Sequence, residues 1–322
     1  MSIQTLASVR AKPRLRREEG ETEHERKSGP EHISVMTKEA LKLLDPKEGD
    51  LVVDATLGLG GHSEVILGVR GVTLIALDAD EEAVLSGQEK LRHFGKRAVV
   101  INANFRDIKK VLRKEGVTKI DKALFDLGWN KGQLLSGRGF SFLSDEPLNM
   151  SYGKKPASGF SAAEILNTWE EKVLADVLFG YGEETYARRI AKAIVARRKI
   201  KPFETTIELV EVVRDSVPPR YRHSRLNPAT KTFQALRIAV NDELGVIEKS
   251  LEAAWKMLTP GGRIVVISFH SIEDRLVKRT FAALTKKGAV LLTKKPLIAE
   301  RQEVIANPSA RSAKMRGIEK TK

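Results

Sequence analysis

From residue 51 onward, short apolar runs alternate with stretches of helical periodicity. The runs are LVVDATLG (51–58), VTLIALDAD (72–80), AVVINANF (98–105), KALFDLG (122–128) and, after a long interval, RIVVISFHS (263–271). Alternation of this kind predicts a parallel α/β sheet. HSEVILGVRG (62–71) starts a short helix between the first two runs, and EEAVLSGQEKLRHF (81–94) reads as the next. Leu244, Ile247, Leu251, Trp255 and Leu258 recur at helical spacing across 242–258, and TPGG (259–262) is expected to stop that helix before the last strand.

Residues 129–235 break the alternation. A Gly/Ser-rich loop (136–161) leads into a strongly helical section. There Ala187, Ile190, Ala191, Ile194 and Val195 form one apolar stripe, with Arg188, Arg189, Lys192, Arg197 and Arg198 around it. The simplest account is a mainly helical insertion (134–235) that interrupts a domain made of 31–133 and 236–322. Such an insertion would stand over the carboxyl ends of the strands, where ligands of open α/β sheets bind. Residues 1–30 lack apolar periodicity and mix 7 basic with 5 acidic residues, so a disordered tail is expected. The tail has no apolar core of a secretory signal, and its EEGETEHE run argues against an organellar presequence.

Composition sharpens this picture in three places. Apolar residues make up 41% of the 322, enough for a substantial core, and no segment approaches the ~18 apolar residues of a membrane span. Cysteine is absent, which excludes disulfides and thiolate metal sites and fits a reducing cytoplasm. The formal charge of +14 points to a polyanionic partner. That charge is uneven. Residues 186–225 hold 11 Lys/Arg against 4 Asp/Glu, and residues 286–322 hold 10 against 3. Nucleic acid is the expected partner, against the plainer reading of a solvated basic surface.

The candidate chemistry lies at the strand ends. DATLGLGGHS (54–63) is a strand, a glycine turn and a helix start. The dinucleotide fingerprint needs glycine where Ser63 stands, so Gly58-x-Gly60-Gly61 is a poor nicotinamide-cofactor loop. A nucleoside with an amino-acid tail suits it better. Asp78, 24 residues after Asp54, is placed to accept both hydroxyls of a ribose, while Asp80 is the better N-cap for the helix at 81–94. Phe105, at the third strand's end, could lie against adenine. With Asp54 and Asp126 at two further strand ends, the set suits S-adenosylmethionine. No GK[ST] follows the glycines, no G-x-S-x-G elbow is present, and no His/Glu cluster has metal-ligand spacing.

The same motifs, in order, resemble the RsmH/MraW family. These are S-adenosylmethionine-dependent methyltransferases acting on N4 of a decoding-centre cytidine in bacterial small-subunit rRNA. The matching stretches are HISVMTKEAL (32–41), DATLGLGGHS, ALDAD (76–80), FDLG with Gln133, and RGFSF (138–142). They continue with YGEETYARRIAKAIVARR (181–198), NPATKTFQALRIAVNDEL (227–244), PGGRIVVISFHSIEDRLVKR (260–279) and NPSARSAKMR (307–316). The resemblance implies a Rossmann-like class I methyltransferase sheet, α/β in class, with an inserted helical domain for substrate recognition. It implies Gly60, Gly61 and His62 at the methionine end of the cofactor, where the glycine loop itself adds Gly58, with Asp78 at ribose, Phe105 near adenine, and Asp126 with Gln133 on the methyl-donor side. It also implies 16S rRNA or the small subunit as partner and leaves a homodimer open; the basic stretches at 186–225 and 286–316 are, by their charge, the expected phosphate contacts.

The chain departs from the family where DLGVSS becomes DLGWNK (Trp129, Asn130, Lys131). It departs again where PLDMRMD becomes PLNMSYG (Asn149, Ser151, Gly153) and where HPAT becomes NPAT (Asn227). These loops are expected to border the target base. Asp126 or a neighbouring backbone carbonyl is expected to accept from the amine, and Trp129 either to stack on the flipped base or to pack against the insertion. Two rivals are a non-catalytic assembly factor that keeps the cofactor fold and a nicotinamide-dependent oxidoreductase, the second opposed by Ser63.

Overall fold

A computed structural model describes residues 34–128 and 136–322. Trp129, Asn130, Lys131 and Gln133, and the expected tail at 1–30, lie outside the described residues. The apolar runs become strands β1 (Leu51–Asp54), β2 (Thr73–Asp78), β3 (Ala98–Asn102), β4 (Ile120–Asp126) and β5 (Leu258–Ser268), all parallel. Successive side chains of a strand point to opposite faces, so neighbours enter different layers. Val53, Ala123 and Phe125 pack with α4 (Ile108–Lys114), α11 (Glu243–Met257) and α12 (Ser271–Thr285) on one face. Val52 and Leu124 pack with α1 (Thr37–Leu44) and α2 (Gly61–Leu67) on the other. Helix α3 (Glu81–Leu91) begins at Asp80, whose side chain accepts from Glu82 N–H.

Among the described residues the sheet runs β3-β2-β1-β4-β5-β8-β6, with β6 at Ala289–Leu291 and β8 at Lys314–Lys320. Strand order reverses between β1 and β4, the place where open α/β sheets bind ligands. Asp54 pairs with Leu124, so Asp126 stands two residues further out along the carboxyl edge.

Two features differ from the sequence reading. The TPGG turn does not precede β5 but is taken into it as a bulge, because pairing jumps from Ile120↔Leu258 to Lys122↔Arg263. The sheet is also not wholly parallel. Strand β8 (Lys314–Lys320) runs antiparallel to β5, and the short β6 (Ala289–Leu291) and β7 (Leu297–Ile298) pair with it. KMRGIEK hides as a strand because its buried Arg316 is neutralised by Asp274 at 2.6 and 3.1 Å. Lys320 donates to the carbonyls of Trp255 and Leu258 at 3.2 and 2.8 Å. Part of the basic C-terminal stretch therefore holds the sheet together, while Lys286, Lys287, Lys294, Lys295, Arg301 and Arg311 remain exposed.

Between β4 and α11 lie α5 (Ala162–Thr168), α6 (Glu171–Gly182), α7 (Ala187–Arg198), α8 (Thr206–Ser216), α9 (Pro219–Arg222) and α10 (Thr230–Asn241). Capping boxes at Ser161/Glu164 and Thr205/Glu208 start α5 and α8. These helices share a core of their own, to which α10 adds Phe233, Leu236 and Val240. On α7 the predicted stripe is buried at Ala187, Ile190, Ala191 and Ile194 and half-buried at Val195. Its basic face is only partly solvated. Arg198 donates to the carbonyls of Leu166 and Trp169, both at 2.7 Å, and Arg197 pairs with Glu208 at 3.1 Å. Arg188, Arg189 and Lys192 stay exposed.

Candidate active site

The loop after β1 turns through Gly58 and Gly60, at φ of +52° and +75°, a region that side chains with a Cβ rarely enter. Ser63, standing where a dinucleotide loop has glycine, donates to the buried Asp54 at 2.7 Å, and Asp54 also accepts from Thr56 N–H at 3.1 Å. Burial pushes the Asp54 carboxyl above its usual range, against the opposing pull of His62 and these hydrogen bonds. Asp54 anchors the loop from below and does not line the cavity above it.

That cavity, of about 160 Å³, opens over the ends of β1, β2 and β4. Gly58, His62, Asp78, Phe105 and Asp126 line it. Gly60 and Gly61 do not. The space beside Gly60 is filled by Lys90 and Gly87 of α3, and Gly61 backs onto Ser34. Asp78 accepts from Gly58 N–H at 2.8 Å and Asp80 N–H at 2.9 Å, so one carboxylate ties the glycine loop to the start of α3. Burial, offset by these two N–H groups and aided by nearby Asp80 and Asp54, pushes it up to about 6. Phe105 sits edge-on to Phe125, ring centres 5.9 Å apart, and presents its remaining surface to the cavity. Asn104, beside Phe105 at the end of β3, joins Tyr152, Asn241, Glu243, Val246 and Ile247 in completing the wall; all but Asn104 lie away from the strand ends, and most lie over a hundred positions downstream of Asp126.

Asp126 is held by its backbone, whose N–H donates to Thr56 Oγ1 at 2.6 Å. Its Oδ2 lies 3.5 Å from His62 Nδ1. Its Oδ1 is buried without a hydrogen-bond partner among the described residues. Burial raises this carboxyl to about 6; His62 opposes the rise and Asp54 adds to it.

A second cavity, of about 400 Å³, adjoins the first and shares Leu127, Gly128, Phe269, Glu273 and Ser309 with it. Its walls are aromatic (Phe140, Phe142, Phe233, Phe269), with Gln234, Arg237, His270 and Glu273 as polar groups. Gly128 stands between the two, and a Cβ there would come within 2.7 Å of the Phe269 ring. Glu273 caps α12, accepting from Phe269 N–H at 2.8 Å and His270 N–H at 3.3 Å. Arg237 grips Glu243 through two bonds of 2.9 and 3.1 Å, and Tyr152 donates to the same carboxylate at 2.9 Å. Folding thus gathers Glu243, His270 and Glu273 within 4.8 Å, although no metal-ligand spacing is visible in the sequence. With Arg237 already neutralising Glu243, the group is a charge network.

The altered loop positions were expected to border the target base, but the described ones do not line either cavity. Asn149 accepts from Ser151 N–H at 3.2 Å, and Ser151 donates to the Gly153 carbonyl at 2.8 Å. Met150 and Tyr152, between them, face the second and first cavities. Asn227 accepts from Ala229 N–H at 2.9 Å in a turn leading into α10. These substitutions are local loop chemistry, and their neighbours form the walls.

A sheet of this order, a glycine loop after β1, an acid at the end of β2 and a cavity at the β1/β4 reversal define a Rossmann-like S-adenosylmethionine-dependent methyltransferase. The residues present fit that cofactor: Asp78 suits a ribose, the Phe105 face an adenine, and the nearby carboxylate of Asp126 a sulfonium. Residues 29–321 match the model of the MraW methylase family, and the chain belongs to that family. It is 44% identical over 308 residues to the ribosomal RNA small subunit methyltransferase H of Citrifermentans bemidjiense, covering 90% of this chain and 98% of that protein. The protein of the same name from Carboxydothermus hydrogenoformans is 43% identical over 306 residues, covering 90% of this chain and 97% of its own length. That from Acidiphilium cryptum is 43% identical over 312 residues, covering 91% and 98%.

A pH dependence follows from the raised carboxyls. With Asp78 and Asp126 both pushed to about 6, both are ionised at pH 8 and largely protonated at pH 5. S-Adenosylmethionine carries a sulfonium cation, and a ribose held at Asp78 would donate its hydroxyls to that carboxylate. Its affinity, measured by calorimetry from pH 5 to 8, is therefore expected to fall as pH drops through about 6. In the cofactor-free protein the sign is opposite. A carboxyl raised on folding destabilises above its folded pKa, so its contribution to stability improves as pH falls from about 6 towards its unfolded value.

Proposed function

We propose that the chain transfers a methyl group from S-adenosylmethionine to N4 of a decoding-centre cytidine in 16S rRNA. The observation that carries this reading is the meeting of two cavities at Gly128, Phe269 and Glu273, one whose residues suit the cofactor and one whose aromatic walls suit stacking on a base. The relatives named ribosomal RNA small subunit methyltransferase H support the choice of substrate.

The exocyclic amine of cytosine is a poor nucleophile because its lone pair is delocalised into the ring. S-Adenosylmethionine supplies the methyl group when bound. The protein must then hold the amine in line and accept its hydrogen so that nitrogen can pyramidalise. Alignment alone contributes up to ~7–11 kcal/mol in favourable cases. Asp126 is the proposed acceptor, and its unpartnered Oδ1 supports that role. Asp78 and Phe105 hold the nucleoside part, while Gly58 and His62 stand at the methionine end. Gly60 and Gly61 act through loop shape. Aromatic stacking of the base is worth roughly 1–3 kcal/mol. Phe140, Phe142, Phe233 and Phe269 are available for it, and Trp129 is the further candidate, tested by methyl transfer with Trp129→Ala. Gln133 keeps its proposed place on the methyl-donor side.

The insertion at 134–235, which holds α5 to α9 and the start of α10, is the proposed recognition domain. Exposed Arg188, Arg189, Lys192, Lys199, Arg214, Arg220 and Arg225, with the exposed lysines and arginines of 286–311, are the proposed phosphate contacts. Binding of small-subunit RNA is then expected to weaken steeply with salt. For ~6 phosphate contacts, affinity would fall by about a thousandfold between 50 and 200 mM. A flat dependence in a filter-binding titration would remove the assignment. The work would take place in the cytoplasm, and no helix among the described residues is long and apolar enough to cross a membrane.

Mass-spectrometric mapping of rRNA methylation with and without the gene tests the function directly. Loss of one N4-methylcytidine is expected, and an unchanged map would overturn the proposal. Calorimetric cofactor binding without tritium transfer to small subunits would instead favour the non-catalytic assembly factor.

A further inference from the structure

A stacked pair of rings joins the walls of the two cavities. Phe140 lines the aromatic cavity and Tyr152 the cofactor cavity, and their rings lie 5.5 Å apart at an angle of 12°. Arg138 holds this pair. Its Nε donates to Ser136 Oγ at 3.0 Å, and its Nη1 donates to the carbonyls of Tyr152 and Ser151 at 2.9 and 3.4 Å. The guanidinium carbon also lies over the Phe140 ring, 5.7 Å from its centre. The remaining nitrogen, Nη2, donates to Asp80 Oδ2 at 2.9 Å, across 58 positions of chain.

Asp80 is the link to the cofactor site. Its N–H donates to Asp78 Oδ1 at 2.9 Å, and its Oδ1 caps α3 by accepting from Glu82 N–H at 3.2 Å, leaving Oδ2 for Arg138. The pair is largely shielded, with 26% of the arginine side chain and 10% of the aspartate exposed, so water and salt screen it less than a surface pair. Lys154 and Glu81 meet at 3.0 Å close by in sequence, but both are exposed, and such pairs contribute little. Elsewhere the same segment is fastened to later parts of the chain. Tyr152 bonds Asn241 through its N–H and Glu243 through its hydroxyl, and Leu148 N–H donates to the Glu204 carbonyl. Arg138 is thus a shielded tie between that wall and the carboxylate on which a ribose would rest.

We propose that Arg138 is a positioning residue that couples the two cavities, so that a cofactor bound at Asp78 sets the Phe140–Tyr152 wall for the target base. The inference rests on the methyltransferase reading above. Asp78 fixes Asp80 through its backbone, Asp80 fixes the guanidinium, and the guanidinium fixes the peptides on both sides of Tyr152. A guanidinium suits the task because its donors lie in one rigid plane, which sets its partners at fixed angles to one another. Coupling of this kind is reciprocal: a base in the aromatic cavity would tighten the cofactor by the same factor.

Hydrogen exchange of the whole protein, with and without S-adenosylhomocysteine, tests the tie without RNA or turnover. In the parent the ligand is expected to slow exchange ~5-fold or more in both the glycine loop (57–63) and the wall (138–152), the lower end of an ordinary coupling. Arg138→Gln is expected to abolish the slowing in the wall and keep it in the glycine loop. Asp80→Asn leaves Oδ1 to cap α3 and leaves Arg138 its other bonds. It is expected to act as Arg138→Gln does, and it decides the question if Arg138→Gln fails to fold. A merely structural arginine would raise exchange equally with and without ligand, and a wall ordered by Tyr152 alone would stay protected in both variants. Either result, or a parent wall indifferent to the ligand, overturns the inference. In tritium transfer to small subunits at saturating cofactor, Arg138→Gln is expected to raise the half-saturating subunit concentration ~10-fold, with kcat and cofactor affinity changed less than about threefold. A fall in kcat at unchanged half-saturation also overturns it. Absence of transfer by the unaltered protein would instead remove the proposed function and leave the exchange arm to decide on Arg138.

Discussion

Asp126→Asn is expected to slow methyl transfer by ~10²–10⁴-fold, the usual contribution of a positioned proton acceptor. The substitution is conservative in shape. The hydrogen bond that places residue 126 comes from its own backbone N–H to Thr56, so it survives the change. What is lost is the proposed acceptor at Oδ1 and the negative charge proposed to stand beside the cofactor's sulfonium. Single-turnover tritium transfer to small subunits measures the rate, and calorimetry shows whether the cofactor still binds within several-fold of the parent. A variant that binds cofactor and turns over at nearly the parent rate would shift the acceptor role to a neighbouring backbone carbonyl.

Asp78→Ala is expected to weaken S-adenosylmethionine binding by ~10–100-fold, since hydrogen bonds to a charged acceptor are each worth about 1.5–3 kcal/mol. Two effects combine. The ribose hydroxyls would lose the acceptor proposed for them, and the N–H groups of Gly58 and Asp80 lose the carboxylate that joins the glycine loop to α3. Asp78→Asn keeps one carbonyl oxygen and is expected to fall between the two. Calorimetry at pH 8, where Asp78 is ionised, gives the comparison. An affinity within threefold of the parent for Asp78→Ala would place the ribose elsewhere in the cavity.

Interactions between near neighbours in the chain are visible in consecutive residues, and those between distant segments are not. Runs such as LIALD and ALFD record burial on both faces of a strand, a local fact written in consecutive residues. The five parallel strands and the acids at their ends were therefore legible. β8 was not, because Arg316 and Lys320 look solvated until Asp274 and the carbonyls of Trp255 and Leu258 are brought to them. The same limit applies to the basic face of α7, where Arg198 serves the carbonyls of Leu166 and Trp169. Within the glycine loop, spacing pointed to Gly58, Gly60 and Gly61 alike. Only packing separates Gly58, which lines the cavity, from the two that shape the turn behind it.

By itself, then, the sequence determined the α/β sheet, the glycine turn with Asp78 and Asp126 at its flanks, and membership of a methyltransferase family. Each of these is carried by residues close together in the chain or by long unbroken motifs. The tertiary structure alone decided that a second, aromatic cavity adjoins the first, because its walls come from residues 127–128, 140–150, 230–237, 269–273 and 309–312. It also decided that His62 faces Asp126, and that Asn149, Ser151 and Gly153 turn away from the walls their neighbours build. Local periodicity reports which side of an element is buried. Which polar group meets which across the chain depends on how the elements pack, and that is settled only when they do.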